Sequence, residues 1–139
     1  MTTIVRPEVS EKNKYWISKH RHYELKHFCL QYPIWKQVCN DEIELRTSTM
    51  TLDQVIRGNY ISDSTSRQAI KRAECAKNMK LVESAAIEAD EHLYTYLLRA
   101  VTEGLSYNYL KTIMNIPCGK DMYYNRYRRF FWILSNSRN

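Results

Sequence analysis

The residues best equipped for chemistry stand together near the end of the chain, in the stretch GKDMYYNRYRRFFWIL, residues 119–134. Lys120, Tyr124, Asn125 and Arg128 follow one another at steps of four, one and three, so a helix sets them along one side. Their chemistry is recognition rather than bond making. Arginine pairs bidentately with the guanine edge and asparagine with the adenine edge, while lysine and tyrosine more often hold phosphate oxygens. Arg128 and Asn125 are therefore the candidates for base contact, and Lys120, Tyr124, Arg129 and Lys111 those for a phosphate backbone. Arg126 falls toward the other face, where it either snorkels or pairs with an acidic residue.

The distribution of charge points the same way. Of a formal +6, residues 1–104 contribute +1, from 15 Lys and Arg against 14 Asp and Glu, and residues 105–139 contribute +5, from six against Asp121 alone. A basic block beside a balanced body is the footprint of contact with a polyanion, most often nucleic acid. Catalysis has no comparable signal. The sequence holds no glycine-rich phosphate loop and no nucleophile motif, and NDEIE and EADE read as solvated helix faces, so no enzyme is expected. No cofactor or metal is expected either. Cys29, Cys39, Cys75 and Cys118 lack a CxxC pair and read as small buried hydrophobes, and His20, His22 and His27 with Cys29 form only a loose cluster.

A helix that presents recognition groups needs a buried side to hold it. At 100° per residue, Tyr123, Tyr127, Phe130 and Leu134 form one narrow stripe, with Met122 and Ile133 on one flank and Phe131 on the other. The opposite face collects Asp121, Tyr124, Asn125, Arg128, Arg129 and Trp132. Trp132 either packs against the aromatic N-terminal half or makes a self-association surface, the route to a homodimer. Just upstream, Ser106 caps a short helix in YNYLKTIM that ends before NIP, and Gly119 opens the last helix. Two helices joined by a few tight-turn residues are the layout of a helix-turn-helix, whose second helix enters the major groove N-terminal end first.

The remaining elements read as scaffold. The 139 residues amount to about one domain, and three Gly and three Pro leave little material for turn-rich β architecture. Ser18 caps a helix through KHRHYELKHFCLQY, with Tyr23 or Tyr15, Phe28 and Tyr32 at helical spacing; Pro33 either forces Tyr32 out of helical geometry or marks a kink, and IWKQVCNDEIEL resumes with Trp35 and Val38 inward. Residues 46–60 form a polar connection with a short helix at LDQVIR ending on Gly58. SDSTS then offers N-caps for an Ala-rich helix whose stripe of Val82, Ala86, Ala89, Leu93, Leu97 and Ala100 runs to a stop at Gly104. Along it, Asp90 either caps a new helix or sits on the solvent face of one long one. The expected fold is all-α, a compact helical domain with a C-terminal helix-turn-helix. Three stretches compose it: an aromatic-rich helical region and connection at 1–62, a long Ala-rich helix or helix pair at 63–104, and the helix-turn-helix at 105–139. No apolar run approaches the roughly 20 residues of a membrane span, and MTTIVRPEVSEKNK lacks the apolar centre of a signal peptide, so the expected location is cytoplasmic.

The segment EGLSYNYLKTIMNIPCGKDMYYNRYRRFFWILS resembles the C-terminal helix-turn-helix of phage and prophage transcriptional regulators of the RinA and ArpU type, a fold similar to the promoter-reading domain of sigma factors. HFCLQYPIW and KRAECAKNMKLVESAAIEADEHLYTYLLRAVTEG extend the likeness upstream, to about Ser18. The resemblance implies binding to double-stranded promoter DNA and activation of phage or mobile-element genes in a bacterial host, with contact to host RNA polymerase and no cofactor. Gly119 departs from the serine-type cap expected at the start of the last helix, although glycine is an acceptable N-cap. Eleven Tyr and three Trp keep a second class in view. That class is a small phage-encoded protein that binds a host polymerase or a defence nuclease, as an anti-CRISPR inhibitor does.

Overall fold

Short polar residues and glycines at the helix ends decide where this chain turns. The computed structural model describes the backbone of residues 13–48 and 62–138 and the side chains of residues 13–40 and 65–138. Among them every regular element is a helix. Helix α1, Lys19–Leu30, opens on Ser18, whose hydroxyl accepts the Arg21 N–H at 3.3 Å. It ends at Gln31, and Pro33 lies in the first turn of α2, Tyr32–Ser48, where a missing N–H costs nothing. Helix α3, Ser62–Ala89, begins within SDSTS rather than after it. The short helix read at LDQVIR and the first 12 residues lie outside the described residues.

Asp90 stops α3. Its Oδ1 accepts the N–H of His92 at 2.8 Å and of Leu93 at 3.0 Å, folding a turn from which α4, Tyr94–Glu103, departs. Neither reading of Asp90 holds as stated: the helix does not run through it, and the N-cap of α4 is Leu93, without a side-chain cap, so Asp90 fixes the intervening turn rather than capping the new helix. Helix α4 closes on Gly104 at φ +70°, with the Leu105 N–H reaching back to the Ala100 carbonyl at 3.0 Å. Ser106 then opens α5, Tyr107–Thr112, by accepting the Tyr109 N–H at 3.2 Å, and α6, Lys120–Ser137, starts on Gly119.

Packing divides the chain into two units that cut across the three stretches read from the sequence. One unit, Tyr32–Lys80, holds α2 and the first part of α3; within it Trp35 and Cys75 are buried and Val38 is half-buried. The other joins Met1–Gln31 to Leu81–Asn139. There α1 packs on α4 and α6, and α4 packs on α5. The stripe of Val82, Ala86, Ala89, Leu93, Leu97 and Ala100 is buried throughout, bent at Asp90. It meets Leu25, Phe28 and Cys29 of α1 and Tyr123, Phe130, Phe131, Ile133 and Leu134 of α6 in the same core. Tyr23 and Met122 are exposed and Tyr127 is half-buried, unlike the sequence reading, whereas the flanking Phe131 and Ile133 are buried as expected. The buried side of α6 is wide because α1 covers it on one side. No disulfide joins the four cysteines, and burial pushes the Cys29 thiol up to about 12, against the opposing charge of Arg138. No described helix is long and apolar enough to cross a membrane.

The far end of α6 is tied to α1. Arg21 donates to the Ser135 hydroxyl at 3.1 Å, to the Ser135 carbonyl at 3.0 Å and to the Arg138 carbonyl. Glu24 accepts from both Arg21 and Arg138 at 2.8 Å, and the Arg138 guanidinium lies 4.0 Å over the Phe28 ring.

His22 sits inside this unit, edge-on to Phe131 with ring centroids 4.7 Å apart, and its Nδ1 is buried without a partner. Burial, helped by the charge of Lys26, lowers its pKa from 6.5 to about 4. Between those values the unfolded chain holds more protons than the native one, so stability is full above about pH 6.5 and declines as the pH falls toward 4. Urea unfolding should register a loss of up to about 3 kcal/mol across that window. His22→Leu should abolish the slope while leaving stability at pH 7 little changed, because it removes an orphaned polar atom. Gly104→Ala should cost about 1 kcal/mol in the same assay. An added Cβ would meet only Leu30 Cδ2 at an ordinary 3.7 Å, so the cost there is the left-handed backbone.

Candidate nucleic-acid interface

The start of α6 is fixed by the connection that precedes it. The Ile113 N–H bonds to the Tyr109 carbonyl at 2.9 Å, Asn115 takes the left-handed φ of +54° that asparagine tolerates, and the Ile116 N–H returns to the Leu110 carbonyl at 3.0 Å. Ile116 and Leu110 are buried, and the Tyr107 hydroxyl donates to the Cys118 carbonyl at 2.9 Å. Residues 113–119 therefore form a pinned connection, longer than the roughly 3–4-residue turn of a compact helix-turn-helix. The charge of Lys111 is felt at Cys118, where burial and Asp90 nevertheless raise the thiol pKa. The end of α5 thus lies close to the start of α6.

Lys111 and Lys120 are exposed, as is Asp121, while Tyr124, Asn125, Arg128 and Arg129 are half-buried. Tyr124 is part of an aromatic ladder, 5.0 Å from Tyr123, 6.1 Å from Tyr127 and 6.4 Å from Tyr107 between ring centroids. Burial and then Tyr107 raise its pKa, so its hydroxyl stays protonated as a donor. Asn125 is engaged by its neighbour: its Oδ1 accepts from the Arg126 guanidinium at 2.8 Å. Arg126 in turn donates from Nε to Asp90 Oδ2 at 2.9 Å, so of its two readings the acidic partner is the one realised. Arg129 lines a shallow groove with Glu88, Asp90, Glu91 and Arg126, in more acidic surroundings than its place on the wheel suggests.

Arg128 and Arg129 make no hydrogen bond or ion pair among the described residues, and Arg128 differs from the other guanidiniums of α6 in that its Nε is buried. One turn further, Trp132 is half-buried and packs edge-on against Tyr15 at 5.6 Å, which is the first of its two readings. Lys14 lies 5.6 Å from the same Tyr15 ring, adding a cation beside this face. Lys14 and Tyr15 carry no signal in the sequence as neighbours of α6, since more than a hundred residues separate them from Trp132. Among the described residues no group of three or more His, Cys, Asp or Glu is placed to hold a metal ion. No family model, curated protein or solved structure matches the chain.

The Asp90–Arg126 pair carries a pH signature. Burial opposes ionisation of Asp90, but hydrogen bonds from Arg126 and from the N–H groups of His92 and Leu93, with the Arg126 charge, hold its carboxyl below the usual range. Its stabilisation is thus present above the unfolded value of about 4 and is lost as the pH falls further. Asp90→Ala should lower stability at pH 7 by about 2 kcal/mol, having lost both the turn's side-chain hydrogen bonds and a charge partner. Acid titration of the variant by circular dichroism should show a shallower decline below pH 4 than the wild type.

Proposed function

We propose that this protein is a double-stranded DNA-binding transcriptional regulator, an activator of phage or mobile-element genes, that reads the major groove with α6 from its Gly119 end as the second helix of a helix-turn-helix. The observation that carries the reading is Arg128. Arg126 is paired with Asp90 and Arg138 with Glu24, and of the two arginines of α6 without an ion pair among the described residues, Arg128 and Arg129, it is Arg128 that has its Nε withdrawn from water. A guanidinium in that condition costs desolvation without the return of a pair. A phosphate or the acceptor edge of guanine supplies the missing partner. The exposed Lys111 and Lys120 and the +5 carried by residues 105–139 support the same polyanion.

On this reading Arg128 and Asn125 face the bases and Lys111, Lys120, Arg129 and the Tyr124 hydroxyl hold the backbone. The setting is the cytoplasm of a bacterial host, with host RNA polymerase or a second copy of the chain as further partners. A second reading, docking to a host polymerase or defence nuclease as an anti-CRISPR inhibitor docks, is favoured by the exposed Tyr109, Ile113 and Met122 on α5 and the first turn of α6.

Salt separates the two. Fluorescence anisotropy with a duplex from the protein's own upstream region should give a log–log salt slope of about −3 if Lys111, Lys120 and Arg129 meet phosphates, and Lys120→Ala should flatten it by about 0.9, whereas Arg128→Ala should weaken binding and relax its specificity. Full affinity in an Arg128→Ala, Asn125→Ala double variant would sink the site. Absence of duplex binding at low salt would sink the reading and leave the protein-docking one.

A further inference from the structure

We propose that the Asp90–Arg126 pair fixes Asn125 as a hydrogen-bond donor, so that it selects guanine rather than the adenine that a free asparagine prefers. The inference rests on the DNA-binding reading and deepens it to a base preference. A guanidinium can only donate, so the atom that Arg126 meets at 2.8 Å must be the Asn125 oxygen, and the amide orientation follows from chemistry rather than from assignment. Arg126 has little freedom to release it. Its Nε is held by Asp90 Oδ2 at 2.9 Å, and the other oxygen of that carboxylate is held by the N–H groups of His92 and Leu93. The turn between α3 and α4 therefore sets the side chain of a residue on α6.

What Asn125 has left to offer is Nδ2. That atom has no partner among the described residues and is not among the buried unpaired atoms, so it faces solvent. A free asparagine matches adenine because its oxygen accepts from N6 while its nitrogen donates to N7. With the oxygen occupied, only N–H groups remain. Guanine presents two acceptors, N7 and O6, on its major-groove edge; adenine sets an amino donor beside N7, and cytosine presents an amino donor. Arg128, three residues on, is matched to guanine as well. The partner is then duplex DNA with guanines exposed in the major groove along the path of α6. Arg126 and Asp90 act through Asn125 and are positioning residues.

Selection from a randomised duplex library reads this directly. The wild type should enrich guanine at one position by roughly tenfold, and Asn125→Ala should flatten that position while leaving the salt slope unchanged. Asp90→Asn combined with Arg126→Met removes both charges together and frees the Asn125 oxygen, so the same position should move toward adenine. Asn125→Asp, which keeps the Arg126 contact but has no donor, should retain the melting temperature and lose the guanine preference, and it stands independently of whether the double variant folds. Adenine enrichment by the wild type at the position that Asn125→Ala flattens, or an Asn125→Ala profile identical to the wild type, overturns the inference while leaving DNA binding intact. Absence of any duplex binding overturns both.

Discussion

The carboxylate of Asp90 is the constraint on which the arrangement of the larger unit depends. The apolar stripe from Val82 to Ala100 keeps helical spacing throughout, and nothing in its periodicity demands a break. The break comes from one oxygen of Asp90, which captures two backbone N–H groups and makes a turn cheaper than another helical residue. The second oxygen reaches α6 through Arg126. One side chain therefore both redirects the chain and sets which way the last helix faces. The coupling is effective because the pair is largely shielded, with the Asp90 side chain only 9% exposed.

The rotation of α6 about its axis is held from more than one place. At its start, the Tyr107 hydroxyl and buried Ile116 fix the connection that delivers Gly119; at its end, Arg21, Glu24 and Arg138 bind the last turn to α1. Between them the rings of Tyr123, Tyr127, Phe131 and His22 follow one another in edge-on or tilted contacts of 4.7 to 6.2 Å. Aromatic rings in such contacts resist rolling of the helix, since every ring would lose its partner at once. What α6 turns outward is thus a consequence of what it must bury.

The local features were legible in the sequence because their causes are local. Ser18, Pro33, Gly104, Ser106 and Gly119 act on backbone groups within a few residues, and each marks the helix boundary that its chemistry demands. The stripe positions followed from helical geometry alone. Tyr23 and Met122 did not, because a wheel gives the direction of a side chain but not the breadth of the surface packed against it. Asn125 stood correctly on its face, yet its bond to the adjacent Arg126 depends on an aspartate 36 residues away, a pairing that no spacing rule reports. The same holds for the larger packing unit, which joins Met1–Gln31 to Leu81–Asn139.

Two of the three arginines of NRYRR show why placement on a wheel understates function. Arg126 and Arg128 are both half-buried, two residues apart, and chemically identical. One is satisfied by an internal carboxylate, and the other has an orphaned, desolvated Nε. Had selection acted on stability alone, a carboxylate opposite Arg128 or an apolar residue in its place would have removed the cost. On the DNA-binding reading the orphan is kept because an arriving anion supplies the acceptor that its buried Nε lacks. The paired arginine contributes to the same end by the opposite route, since a satisfied Arg126 is rigid enough to orient Asn125. Stability given up at one position and gained at the other then serves a single surface, and the asymmetry between the two side chains is its physical signature.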